Sequence, residues 1–390
     1  MRAPALSTAP RKLVTNFRGA VLSARIAACA SLGIAIAAFA RAAEGPPPFA
    51  GPPPSHRFAP PPDPDLPTGA PATRPDSPRH KQRGVALGLF AEDVSFSYAP
   101  LLAEIAALGA THVALVVSIY QTHGAAADLA LHTRLSPTLG GLADAVRAAR
   151  RERLEVTVLP IVRLTAPRRA GEWRGTLEPA DRAAWFRRYT DVVGDIAAMA
   201  GVAGATRLAI GSELSSLDGA RDLERWKPIV ARLRAVFHGT LIYSANWDHY
   251  RDARLLDLCD EDGVVGYFDL RAGPAAPSDV AALEERWRRL RAELEAWQAG
   301  RNRAFVFTEL GYRSRAGSSA SPWDETQGGD VDLDEQRRAF EAFRLAWSGA
   351  PSLDGVYVWN WYGFGGPGTT SYTPRGKPAA AEVQRLLRAL

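Results

Sequence analysis

The sequence has few cysteines, and its main part has no excess of either charge. Cys29 and Cys259 are the only cysteines among 390 residues, and Cys29 lies in the N-terminal leader. A disulfide within a mature chain that lacks this leader is therefore excluded. Residues 84–390 carry 36 Lys and Arg against 38 Asp and Glu, so the basic balance of the whole chain comes from its first 83 residues. This distribution argues against a nucleic acid partner.

Common metal, nucleophile and cofactor motifs are also missing. The seven histidines form no H-E-x-x-H motif and no cluster with cysteine, so we expect no metal site. The segment 211–215 has Glu213 where a G-x-S-x-G elbow needs serine. Gly363, Gly365 and Gly368 have the spacing of a dinucleotide motif, but Pro367 interrupts it, and we expect no cofactor.

The N-terminus is typical of an export signal. Arg11, Lys12 and Arg18 precede an apolar run from Ile26 to Ala40, and small residues follow it. We therefore expect residues 1–43 to be a signal peptide or a membrane anchor, with the protein secreted or associated with the cell envelope. The run is short for a membrane span of about 20 residues, which favours the cleaved form over an uncleaved tether. Cys29 fits a lipoprotein site poorly, because the apolar run continues beyond it.

Residues 44–83 have a different composition. Fourteen of these forty residues are proline, in runs such as Pro46–Pro48 and Pro60–Pro62. Proline lacks a backbone donor and favours extended polyproline II structure, so this segment cannot form a packed core. We expect a disordered linker at 44–83, followed by one folded domain at 84–390.

From residue 84 onward, short apolar runs alternate with amphipathic helical stretches. Strands that are apolar on both faces and are each followed by a helix indicate a parallel sheet covered by helices. Eight such units in about 307 residues predict an α/β fold of the (β/α)8 TIM barrel type, and an open doubly wound sheet is the alternative. The predicted strands are 85–90, 112–120, 154–164, 207–213, 240–246, 263–270, 304–311 and 356–361.

Two of the predicted strands end in a glutamate. Core packing does not explain a charged side chain at these positions. Glu213 ends the fourth strand and Glu309 the seventh, so both are expected at the carboxyl-end mouth, where barrel enzymes place their active sites. A pair of carboxyl groups facing a cleft suits glycoside hydrolysis. The alternative is that each glutamate caps a helix or pairs with an arginine at the rim.

The same strand ends are rich in aromatic and polar side chains. Sugar rings stack their C–H faces on aromatic rings, while their hydroxyl groups need polar partners. A single aromatic residue at a strand end is more often part of the core, but here several strand ends carry one. The candidate substrate-binding residues are Arg163, Trp173, Asn246, Trp247, Tyr267, Tyr312, Trp359 and Trp361.

Four segments together resemble glycoside hydrolase family 113, whose known members include β-mannanases. They are 211–214 (GSEL), 243–248 (YSANWD), 307–312 (FTELGY) and 372–378 (YTPRGKP), and the resemblance covers nearly all of residues 84–390. It implies a retaining (β/α)8 glycosidase with Glu213 as acid/base and Glu309 as nucleophile. It further implies that Tyr267 hydrogen-bonds the nucleophile and that Trp359 or Trp361 lies under the cleaved sugar.

The sequence departs from this family pattern at two places. Ser212 stands where relatives usually have asparagine before the acid/base, and Asn246 is the candidate to replace that contact. Leu159-Pro160-Ile161 stands where relatives tend to have Lys-Pro-His, and Arg163 is the candidate replacement. The catalytic pair is therefore better supported than mannan as the substrate.

We expect a monomeric retaining glycosidase that acts on a β-linked polysaccharide or oligosaccharide, most plausibly of the mannan type. A carbohydrate-binding protein on a barrel that has lost turnover is the alternative from another class, and an unrelated barrel enzyme is a third. The two intact glutamates favour the enzyme.

Overall fold

The fold was obtained as a computed structural model, which describes residues 81–93, 95–301, 303 and 305–390. The expected leader and nearly all of the expected linker lie outside the described residues. Among those that are described, no helix is both long and apolar enough to cross a membrane.

Eight parallel strands form a closed barrel in chain order, and the first strand pairs with the last. This confirms the predicted barrel. The strands are apolar on both faces, because one face packs inside the barrel and the other lies under the helices. They are β1 (Gln82–Gly88), β2 (His112–Gln121), β3 (Glu155–Leu164), β4 (Arg207–Ser212), β5 (Thr240–Ala245), β6 (Glu261–Val265), β7 (Phe305–Leu310) and β8 (Leu353–Val358).

The helices of the described residues connect these strands. Only a short 3-10 turn, Arg254–Leu258, lies between β5 and β6. The other connections each contain an α-helix, and a closing helix follows β8. The helices are α1 (Ala99–Ala107), α2 (Leu139–Arg151), α3 (Arg182–Ala203), α4 (Leu223–Val236), α5 (Val280–Ala299), α6 (Leu333–Trp347) and α7 (Ala379–Ala389).

Local chemistry explains where α3 begins and ends. Asp181 accepts a hydrogen bond from the backbone N–H of Ala184, so the helix begins at Arg182. It ends at Ala203 because Gly204 has a φ of 96°, a left-handed conformation that glycine adopts without strain. A capping carboxylate and a terminal glycine therefore define both ends.

The barrel interior contains a compact apolar group, which we call the interior cluster. Its residues are Ala86, Ala114, Val116, Leu159, Ile161, Ala209, Ile242, Val306 and Tyr357. Below it, towards the amino-terminal ends of the strands, the Tyr357 hydroxyl lies 2.9 Å from both Thr157 Oγ1 and Gln82 Oε1. The interior of the barrel is thus a packed core.

Strand β6 ends earlier than predicted. We expected a strand over 263–270, whereas β6 covers Glu261–Val265. The pairing register with β7 shifts between Val264 and Val265, and the Gly266 N–H then donates to the Glu309 carbonyl at 2.6 Å. Tyr267 consequently lies in the connection after β6 rather than in the strand.

Candidate active site

Glu213 and Glu309 both lie at the carboxyl-end mouth of the barrel. Glu213 directly follows β4, and Glu309 is the penultimate residue of β7. Their exposed fractions are only 4% and 1%. Burial of an ionised carboxylate is costly unless partners compensate it, so the contacts of the two groups indicate what each can do.

The backbone at Glu213 adopts a conformation that is rare for a residue with a side chain. Its φ is 52°, in the left-handed region, which typically costs about 1–3 kcal/mol. The Glu213 N–H donates to the Ser244 carbonyl at 2.7 Å, and the next N–H, of Leu214, donates to the Tyr243 hydroxyl at 2.9 Å. That hydroxyl in turn donates to Asp218 Oδ2 at 2.7 Å. The neighbouring strand therefore holds the turn that presents Glu213.

An arginine pairs with Glu213. Arg174, from the loop after β3, donates from Nε at 2.9 Å and also from Nη2 to Oε2 of Glu213. Its guanidinium lies 5.3 Å from the ring centre of Trp173. Burial acts to lower the pKa of Arg174, but the negative charges of Glu213 and Glu309 outweigh it and raise that pKa. A fixed positive charge therefore lies beside the carboxylate pair.

The buried carboxyl group of Glu309 has weaker polar partners than that of Glu213. Its Oε2 accepts from the Tyr267 hydroxyl at 2.9 Å, and its Oε1 accepts from Ser212 Oγ at 3.4 Å. Burial and the charge of Glu213 raise the pKa of Glu309, although Arg174 and Tyr267 oppose them. The net effect is a raised pKa, so burial and the nearby negative charge together favour the protonated form of Glu309.

Trp359 directly follows β8, and Arg163 is the penultimate residue of β3, so both lie at the carboxyl ends of their strands. Trp359 and Phe90 both pack on that cluster from above. Arg163 donates to Ser118 Oγ at 3.0 Å, and its guanidinium lies 5.0 Å from the ring centre of Phe90. The structure therefore brings the predicted Arg163 and Trp359 to the mouth of the barrel.

The predicted pair on the β5 side forms a small unit of its own. The Asn246 side chain donates to Asp248 Oδ1 at 2.8 Å, and its own oxygen accepts from the Trp247 N–H at 3.0 Å. Trp247 is half-buried and packs edge-on against Phe268, with ring centres 5.8 Å apart. No described hydrogen bond joins Asn246 to either glutamate.

Two of the predicted aromatic residues lie outside the mouth. Tyr312 is fully buried, packs against Phe340 of α6 and accepts from the Trp287 indole N–H at 3.1 Å. Trp361 belongs to the layer between strands and helices and donates to Glu104 of α1 at 2.8 Å. The neighbours of both rings are helix residues. The expected sugar contacts of Tyr312 and Trp361 therefore have no support from these contacts and stay predictions.

Sequence reasoning did not single out Arg174 as a site residue, although it noted Trp173 next to it. Tyr243 and Asp218 were not considered as supports for Glu213. Nothing in the local pattern distinguishes these residues. Arg174 lies 39 positions before Glu213, Tyr243 lies 29 positions after Leu214, and Asp218 acts only through Tyr243. The positive φ of Glu213 was equally hidden in the sequence.

Within the part of the chain that the structure describes, no group of three or more His, Cys, Asp and Glu side chains is arranged to hold a metal ion.

Comparison with known protein families decides the class of this site. The model of Glycoside Hydrolase Family 113 matches residues 92–364, which include both glutamates. The chain belongs to this family. It is a glycoside hydrolase, as the pair of carboxyl groups at the barrel mouth suggested. Among curated proteins, no match was found.

Solved structures agree with this assignment. The family 113 β-mannanase AaManA from Alicyclobacillus acidocaldarius, in complex with ManMIm, is 25% identical with a TM-score of 0.70, covering 79% of this chain and 97% of the other. A second family 113 β-1,4-mannanase is 17% identical, with a TM-score of 0.70 and coverage of 80% and 100%. A β-glucuronidase from Ruminococcus gnavus shares the fold alone, at 13% identity and a TM-score of 0.55, with coverage of 79% and 50%.

Proposed function

We propose that this family 113 hydrolase is a retaining β-mannanase that cleaves β-linked chains by double displacement. The observation that carries the proposal is the convergence of the β4 and β7 ends. Ser212, the neighbour of Glu213, contacts Glu309, and the charge of Glu213 acts directly on Glu309. The mannanase names of the similar structures support mannan as the substrate class.

In the first step, an oxygen of Glu309 attacks the anomeric carbon, and Glu213 protonates the departing glycosidic oxygen. The tyrosine hydroxyl of Tyr267 orients the attacking carboxylate by holding its Oε2. In the second step, Glu213 takes a proton from water, which attacks the same carbon and releases Glu309. The sugar leaves with its original anomeric configuration.

The contact between Arg174 and Glu213 bears on the first step. Arg174 donates two hydrogen bonds to Oε2 of Glu213, so the guanidinium occupies that oxygen. Proton donation from Oε2 requires that Arg174 leaves it when the substrate binds. The neighbouring Trp173 ring offers the guanidinium a stacking surface during this change.

Arg163 is the proposed polar contact for sugar hydroxyl groups on the β3 side. Leu159 and Ile161 belong to the interior cluster, so the two apolar departures from the family pattern fill the barrel rather than line its mouth. Arg163 follows on the same face of β3, because side chains alternate along a strand. Its contact with Ser118 leaves further guanidinium donors to bind a hydroxyl group.

The substrate class is tested by assaying the purified protein on mannan, glucomannan, xylan, β-glucan and aryl glycosides. We expect the highest activity on mannan or glucomannan. Proton NMR of the first product should show the β-anomer before mutarotation. Release of the α-anomer would contradict the retaining mechanism, and preferential cleavage of xylan or β-glucan would contradict the mannanase assignment.

Azide rescue distinguishes the roles of the two glutamates. Glu309→Ala should abolish turnover, and azide should restore it with an α-glycosyl azide as product. Glu213→Ala should retain attack on aryl glycosides with good leaving groups, and azide should then give the β-glycosyl azide. Glu152→Ala, an exposed glutamate just after α2, serves as the control and should match the parent. Near-parental activity of both active-site variants would remove both glutamates from the mechanism.

We also propose export through the N-terminal segment, followed by a proline-rich tether. The basic and apolar composition of residues 1–43 supports this proposal. N-terminal sequencing of the mature protein from the cell envelope and the medium is the test. A mature protein that begins at Met1 in the cytoplasmic fraction would contradict it.

A further inference from the structure

Trp323 is the one exposed residue among the ten tryptophans, with half of its surface accessible to solvent. It lies in the loop between β7 and α6, on the same end of the barrel as the glutamates. Its indole N–H donates to Asp269 Oδ1 at 2.9 Å, and Asp269 lies in the connection after β6. An exposed aromatic ring is thus held in place by a carboxylate from a different loop.

Contacts within the same loop place Trp323 beside the active site. The preceding residue, Pro322, accepts from the Tyr372 hydroxyl through its carbonyl at 2.5 Å. The Tyr372 ring lies 6.0 Å from that of Tyr267, which hydrogen-bonds Glu309. The loop is therefore linked to the nucleophile through two tyrosines.

A second observation, on Glu325 of the same loop, agrees. Glu325, two residues after Trp323, is close enough to Arg174 for its charge to contribute to the raised pKa of that arginine. Arg174 itself contacts Glu213. The loop that carries Trp323 therefore borders the mouth near both carboxyl groups.

We propose that Trp323 binds a pyranose ring of an extended β-linked chain, outside the two sugars that flank the cleaved bond. This proposal rests on the proposed function. The apolar face of a sugar stacks on an aromatic ring, and a ring fixed by its N–H loses little conformational freedom on binding. Trp323 thereby favours chains over short glycosides.

Binding is measured by calorimetry in the Glu309→Ala background, with mannohexaose and mannobiose as probes. Adding Trp323→Ala should weaken mannohexaose binding about tenfold and leave mannobiose binding unchanged. Trp323→Phe, which keeps a ring, should retain most of the affinity. Asp269→Ala, which removes the anchor of the indole, should give an intermediate loss. Leu345→Ala, a change at an exposed residue of α6, is the control and should alter neither affinity.

Turnover is measured in parallel with Glu309 intact. Trp323→Ala should lower kcat/KM on mannan about tenfold and leave that on an aryl mannoside unchanged. Equal mannohexaose affinity with and without Trp323 would overturn the proposal, as would an equal loss for both probes. If mannohexaose binding depended on Trp323 but the protein with Glu309 intact did not turn over mannan, this inference would stand and the proposed function would be overturned. If the Glu309→Ala protein did not bind mannohexaose, both the inference and the proposed function would be overturned.

Discussion

The surroundings of Glu309 act on its pKa in opposite directions. Burial and the charge of Glu213 raise its pKa, whereas Arg174, Tyr267 and Ser212 lower it. The nucleophile must be ionised, so the acidic limb of the kcat/KM profile follows the titration of this group in the free enzyme. Arg174, Tyr267 and Ser212 therefore together set how low the working pH extends.

Removing either main partner should move that limb. Arg174→Gln and Tyr267→Phe each remove an influence that lowers the pKa of Glu309, so the acidic limb of kcat/KM should shift to higher pH by about one unit. Arg163→Gln is the matched control, since Arg163 lies at the mouth but is not among the main influences on the pKa of Glu309. An unmoved limb in both variants would show that another group controls it.

The raised pKa of Glu309 also affects stability. Between the ordinary glutamate pKa of the unfolded chain, about 4.3, and the higher native value, the folded protein holds a proton that the unfolded chain has released. The free energy of unfolding therefore falls as pH rises through this window. Glu309 thus costs stability at neutral pH.

Glu309→Gln should reverse this cost. We expect the variant to gain about 1–2 kcal/mol in the free energy of unfolding at pH 7.5, and less at pH 4.5, where the native carboxyl is already protonated. Thermal unfolding at both pH values measures the difference. Glu325→Gln, at an exposed position, should follow the parent at both. A loss of stability at pH 7.5 for Glu309→Gln would contradict the argument.

At the scale of an element, the turn after β4 depends on its neighbour β5. Tyr243 accepts from the Leu214 N–H and donates to Asp218, which His249 Nε2 approaches to 3.0 Å. This chain of contacts runs from the protein surface to the residue after Glu213. It compensates for the left-handed backbone of Glu213.

Tyr243→Phe should therefore affect both stability and turnover. The loss of a buried hydroxyl with two partners should cost about 1–3 kcal/mol, and the loosened turn should lower kcat about tenfold with little change in KM. Tyr189→Phe is the control, because Tyr189 donates to the Ile210 carbonyl of β4 at 2.9 Å and has no described hydrogen bond to the turn itself. It should lose stability and keep kcat. If kcat of Tyr243→Phe also stays at the parental level, the turn holds its shape without this hydroxyl.

The elements that sequence analysis predicted well are those whose signal is local. Apolar strands and amphipathic helices repeat along the chain, and the position of Glu213 and Glu309 at strand ends followed from that pattern alone. Tyr267 and Tyr312 show the limit. Both follow a strand end closely, yet one hydrogen-bonds Glu309 and the other packs under α6, because a register shift and the facing helices decide their directions.

At the scale of the molecule, the two ends of the barrel have different tasks. The carboxyl end holds the glutamates and their partners. The amino end holds buried polar groups that bind one another, with Gln82 donating to Glu261 Oε2 at 3.0 Å and accepting from Tyr357 at 2.9 Å. In such barrels the carboxyl end determines activity, and the amino end contributes stability.

This division predicts where the N-terminal segment can be removed. We expected the folded domain to begin at residue 84, but β1 begins at Gln82, and Lys81 donates to the Ala350 carbonyl at 2.6 Å. Gln82 pairs with Gly355, where a side chain on Gly355 would meet the Gln82 Cβ at 2.4 Å, so the two strands approach closely here. A chain that begins at Lys81 should keep parental activity and stability.

A chain that begins at Gly84 should differ from it in stability alone. It loses Gln82, so the buried Tyr357 hydroxyl keeps only Thr157 Oγ1 as a partner and Glu261 loses one hydrogen bond. The free energy of unfolding should fall by about 2–4 kcal/mol, while kcat and KM of the folded fraction stay parental, because the affected groups lie at the end away from Glu213. Denaturant unfolding and mannan assays of the two chains measure this. Gln82→Ala in the longer chain should reproduce most of the loss, whereas equal stability of both chains would show that the barrel closes without Gln82.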